Sequence, residues 1–106
     1  MAKAEIHSGI CGFCTTVEAT VDGDNPRLVH LKITSDCKAV ERLAAQLTEV
    51  DPFQEFTFRG AGPRTLQCGA ENLSHAGCPV PSGIIKAIEV AAGLALPADV
   101  SIKLTK

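Results

Sequence analysis

From Phe13 onward the chain alternates apolar and polar side chains: Phe13, Thr15, Val17, Ala19 and Val21 stand against Cys14, Thr16, Glu18 and Thr20. A period of two rich in β-branched residues predicts a strand with one buried face. Asp22-Gly23-Asp24-Asn25-Pro26 breaks the pattern, and Leu28–Ile33 resumes it with Val29, Leu31 and Ile33 on one side, so a β-hairpin is expected. A shorter, weaker pattern over 3–8 predicts a first strand. Between Cys37 and Val50 the period lengthens. Val40, Leu43, Ala44, Leu47 and Val50 fall at helical spacing behind the cap candidates Thr34, Ser35 and Asp36, which predicts an amphipathic helix.

Asp51-Pro52 reads as a cap and a first-turn proline, so Phe53–Phe58 is expected as a short helix or turn that packs its phenyl rings on the core. Arg59–Gly77 shows no sustained period and is expected as a long loop, uncommon in so small a domain unless something ties it down. A second main helix opens near Cys78-Pro79-Val80-Pro81-Ser82, carries Ile84, Ile85, Ile88, Ala91 and Ala92, and stops at Gly93. Val100, Ile102 and Leu104 alternate with Ser101, Lys103 and Thr105 as a last strand. The fold class expected is α+β: one domain over residues 1–106, with a small antiparallel or mixed sheet of three to four strands against two main helices.

Composition narrows the function classes. The 106 residues suffice for one core, and 45% hydrophobic with 21% charged residues describes a globular chain. Ten Lys and Arg against twelve Asp and Glu, with no Trp or Tyr, supply neither a basic footprint nor stacking residues for nucleic acid. No apolar run approaches a membrane span, and Met-Ala-Lys-Ala-Glu lacks the pattern of a secretory leader, so a cytoplasmic location away from membranes is expected. In a reducing compartment an odd set of five cysteines points to metal or redox chemistry rather than a disulfide scaffold.

Those cysteines are Cys11, Cys14, Cys37, Cys68 and Cys78, separated by 2, 22, 30 and 9 residues. Cys37 and Cys78 each open a predicted helix, where unpaired N–H groups and the dipole favour a thiolate, the form that binds metal. Cys11 lies between Gly9 and Gly12, and Cys68 precedes Gly69, so both are expected at element ends with a permissive backbone. Parity places Cys14 instead on the polar strand face. The division expected is four element-end thiols and one strand-face thiol.

The arrangement resembles the TSCPD domain, a small cysteine-containing module found at the C-termini of some ribonucleotide reductases and as short stand-alone bacterial proteins. The resemblance rests on Gly9-Ile10-Cys11 before a strand, the hairpin around Asp22-Gly23, Ser35-Asp36-Cys37 leading into a helix, Cys68-Gly69, and Cys78-Pro79 ahead of Ile84-Ile85-Lys86-Ala87-Ile88. It implies a zinc-type site of Cys11, Cys37, Cys68 and Cys78. The chain departs from the motif at Ala76-Gly77-Cys78-Pro79-Val80, keeping only Cys-Pro and losing the Asp.

Other signals are weaker. Cys11-Gly12-Phe13-Cys14 has the redox C-x-x-C form, but a strand follows it where thioredoxin-like proteins have a helix. His75, three residues before Cys78, has ligand-like spacing and is able to replace a cysteine, although a solvent-facing loop histidine is the simpler expectation; His7 and His30 are read the same way. Asp22–Asn25 is a turn rather than a calcium loop, Gly60-Ala61-Gly62 is loop punctuation, and no serine or carboxylate pair has a hydrolase context. Three readings result: a zinc module without enzymatic activity, structural or binding a protein partner or a second copy; an iron–sulfur or thiol-redox protein on the same cysteines; and a metal-free structural domain.

Overall fold

The computed structural model describes residues 1–106. Strands β1 (Ala2–His7), β2 (Cys14–Val21), β3 (Val29–Ser35) and β4 (Glu49–Val50) form one antiparallel sheet in the order β1-β2-β3-β4. Helices α1 (Lys38–Gln46), α2 (Pro52–Glu55), α3 (Arg64–Asn72) and α4 (Val80–Ala91) complete the α+β fold expected from the sequence.

The period-two reading sets the register of the sheet. Ala4 pairs with Val17 and Val17 with Ile33, while Ala2 pairs with Ala19 and Ala19 with Leu31, so one face is apolar across three strands. Helix α4 lays Ile84, Ala87 and Ile88 on that face, and α1 adds Val40 and Leu43, all buried. The opposite face carries Lys3, Glu5, Glu18, Lys32, Thr16 and Thr34. At the β2–β3 turn, one oxygen of Asp22 accepts the N–H groups of Asp24 (3.0 Å) and Asn25 (3.1 Å), and the other lies 2.8 Å from His30 Nε2. This accounts for the break in the alternation and for a turn rather than a calcium loop.

Helix α4 sits tightly on β1. A Cβ at Gly83 would stand 2.3 Å from Ile6 Cδ1 and 2.6 Å from its Cγ1, so only glycine admits this approach.

The structure corrects four expectations. The first main helix ends at Gln46, because Glu49–Val50 leaves it to pair with β3 as β4. The supposed loop Arg59–Gly77 contains α3, whose buried stripe is Thr65, Cys68 and Gly69; two residues of that stripe are not apolar markers, which hides the period. The rings of Phe53, Phe56 and Phe58 face outward, 40%, 48% and 84% exposed, and Glu55 turns inward in their place, 1% exposed. Residues 95–106 form no strand; Val100, Ile102 and Leu104 are exposed and the segment makes no backbone hydrogen bond within the chain.

The inward Glu55 acts as an N-terminal cap for α3. Its carboxylate accepts the N–H of Arg64 at 2.7 Å, the N–H of Thr65 at 2.9 Å, and the Thr65 hydroxyl. Pro63 occupies the cap position and has no capping side chain, so a residue from α2 supplies the anion that the helix start favours. No helix is long and apolar enough to cross a membrane.

Candidate metal-binding cleft

The sheet and helices place three of the four predicted ligands around one depression. Cys11, Cys37 and Cys78 line a cleft of about 460 Å³ together with His75, Ile10, Phe13 and Leu73. Each thiol arrives by a different route. Cys11 lies in the turn joining β1 to β2, where Gly9 (φ 88°) and Gly12 (φ 74°) take left-handed conformations and the Gly12 N–H reaches Gly9 O at 2.9 Å. That turn holds Cys11 exposed, with Ile10 fully exposed beside it.

Cys37 is the N-cap residue of α1. It makes no capping hydrogen bond with its side chain, and its N–H donates to Ser35 Oγ at 3.1 Å. Of the cap candidates read from sequence, Asp36 instead accepts the Cys14 N–H at 3.0 Å, tying the start of β2 to the end of β3. Cys78 lies at the end of the connection from α3 to α4, in a turn closed by its N–H on His75 O at 3.2 Å. His75 is exposed on the same connection and borders the cleft, as the His-x2-Cys spacing allows.

Cys68 is placed elsewhere. It faces the core from the middle of α3, 6% exposed, and does not line the cleft. Its expected position at an element end is therefore corrected: the residue before Gly69 is helical, not part of a loop. Burial pushes the Cys68 thiol above the usual value, partly offset by Arg64, and this keeps the neutral form. As the chain stands, no three His, Cys, Asp or Glu side chains are grouped closely enough to hold one ion.

Cys14 follows its parity and stays outside the cleft on the polar sheet face. There it meets a partner that sequence reasoning missed: His7 Nδ1 lies 3.1 Å from Cys14 Sγ. The two residues are directly paired across β1 and β2. The signal was present only in the register, since His7 and Cys14 are seven residues apart and become neighbours once the β1–β2 turn length is known. His30 keeps the solvent-facing position its parity gave it, with its Nε2 2.8 Å from Asp22 Oδ1.

No curated protein and no solved structure matches the chain. A family model does, over residues 2–104, which takes in the cleft, the four-stranded sheet, all the helices and most of the extended end. With nearly its whole length matched, the chain belongs to the family of unknown function DUF6951.

Proposed function

We propose that the cleft is a metal-binding site, for Zn²⁺ in the first instance, and that the protein is a structural or partner-binding module rather than an enzyme. The observation that carries this reading is that Cys11, Cys37, Cys78 and His75 line one cleft, although they come from three separate connections. Three thiolates and one imidazole are a complete donor set for a closed tetrahedral zinc site. Cys11 would supply the β1–β2 turn, Cys37 the start of α1, and His75 with Cys78 the α3–α4 connection. Cys68 belongs to the ligand set that the TSCPD resemblance implies; His75 takes its place here because it already borders the cleft.

An ion in such a site supplies cross-linking and charge neutralisation, with no open position for substrate. The donors have to close on it, because they are not yet grouped within ligating reach. Binding is therefore coupled to movement of residues 8–13 and 73–79 toward the start of α1, and its free energy adds to the stability of the metal-bound fold.

The test is metal content after anaerobic purification, together with the visible spectrum. One equivalent of zinc is expected from the wild type and from Cys14→Ser, with loss in Cys37→Ser and Cys78→Ser. His75→Gln is expected to weaken retention more than Cys68→Ser does. The reverse order would restore Cys68 to the shell. Iron with sulfide and a visible band would replace zinc by a cluster, and absence of metal with five free thiols would leave a metal-free domain.

A further inference from the structure

The segment after α4 is unlike the rest of the chain. Beyond Leu94, whose N–H closes the helix end on Glu89 O at 2.8 Å, residues 95–106 make no backbone hydrogen bond. Yet Val100, Ile102 and Leu104 keep strict alternation with Ser101, Lys103 and Thr105. They stand 61%, 76% and 88% exposed. Water can satisfy the backbone groups of such an exposed segment, but its apolar face gains free energy when a complementary surface covers it. The family match extends through residue 104, so most of this segment lies within the matched residues.

The sheet offers the complementary surface. β1 is an edge strand, paired only with β2, so alternate N–H and C=O groups along Ala2–His7 point outward. Its side chains alternate in the same sense as the arm's, with Ala2 and Ile6 buried toward the helices and Lys3, Glu5 and His7 exposed.

We propose that residues 101–106 add as an edge strand to β1 of a second copy of this chain, the two copies exchanging arms about a two-fold axis. An antiparallel register with Lys103 opposite Glu5 places Ile102 opposite Ile6 and Leu104 opposite Ala4. Opposite charges then meet on the polar face, and the larger leucine meets the smaller alanine on the apolar face. A second copy, rather than the arm's own body, is the occupant because the arm stands clear of its own core, and a reciprocal exchange satisfies both arms and both β1 edges at once. The inference concerns the β1 edge and is independent of the metal proposal.

Light scattering of the full chain over a range of concentrations tests it. A dimer is expected for the wild type, and a folded monomer for the chain lacking 101–106 and for Ile102→Asp. Glu5→Lys and Lys103→Glu are each expected to weaken dimerisation by roughly tenfold, two such pairs being present per dimer, and the double variant to restore it. A monomeric full chain would overturn the proposal. So would a dimer that survives removal of the arm, or a charge-reversed double variant no tighter than its singles.

Discussion

At the scale of single residues, Glu55 carries a stability prediction. Its carboxylate is buried and takes up two backbone N–H groups and a hydroxyl at the start of α3. Truncation leaves those donors without an acceptor, so Glu55→Ala is expected to cost about 2–4 kcal/mol in urea unfolding, with Glu55→Gln losing less because one oxygen remains. A loss below half a kcal/mol would mean that water replaces the carboxylate. Asp22 gives the pH prediction. The hydrogen bond from His30, then that from the Asp24 N–H and, more weakly, that from Asn25, hold its carboxyl below the ordinary value of 3.8 against an opposing effect of desolvation. A depressed carboxyl stabilises the fold above its unfolded pKa and loses that contribution as pH falls through the folded value. Carboxyl NMR titration should therefore show Asp22 protonating at lower pH than a free aspartate, and His30→Ala should move it back up.

At the scale of elements, the hairpin and the two main helices were legible because their periods are long and uninterrupted. Val17, Ala19, Val29 and Leu31 are buried as the alternation required, and Gly93 stops α4 with φ at 75°. Helix α3 was not legible. Its inward stripe is a threonine, a cysteine and a glycine, and its cap comes from Glu55, eight residues before Pro63, so no local rule marks its start. The three phenylalanines misled for a related reason: once Glu55 must face the α3 terminus, the neighbouring rings are turned outward, where Phe53 is covered in part by the Arg27 guanidinium, 5.2 Å from the ring centroid. Packing of α4 on β1 provides the test at this scale. Gly83→Ala drives a methyl into Ile6, which is itself held in the core, and is expected to destabilise by about 1–3 kcal/mol in thermal or urea unfolding. Pairing it with Ile6→Val should recover part of the loss, since the Cδ1 atom is the nearest obstruction.

For the molecule as a whole, the sequence by itself determined the α+β class, the hairpin, the two main helices and the place of Cys14 on the polar strand face. Those follow from periodicity and parity, which are properties of neighbours along the chain. Only the tertiary structure decided which cysteines line one cleft. Cys11, Cys37 and Cys78 share a cleft because the β1–β2 turn, the α1 start and the α3–α4 connection fall at the same place, whereas Cys68 is carried into the core by a helix that spacing did not reveal. The same holds for the His7–Cys14 contact, fixed by strand register, and for the arm, whose alternation names a strand but not its partner. Local pattern states what a segment needs to bury or to pair; which surface meets that need depends on contacts between residues far apart in sequence, and these exist only once the chain has folded.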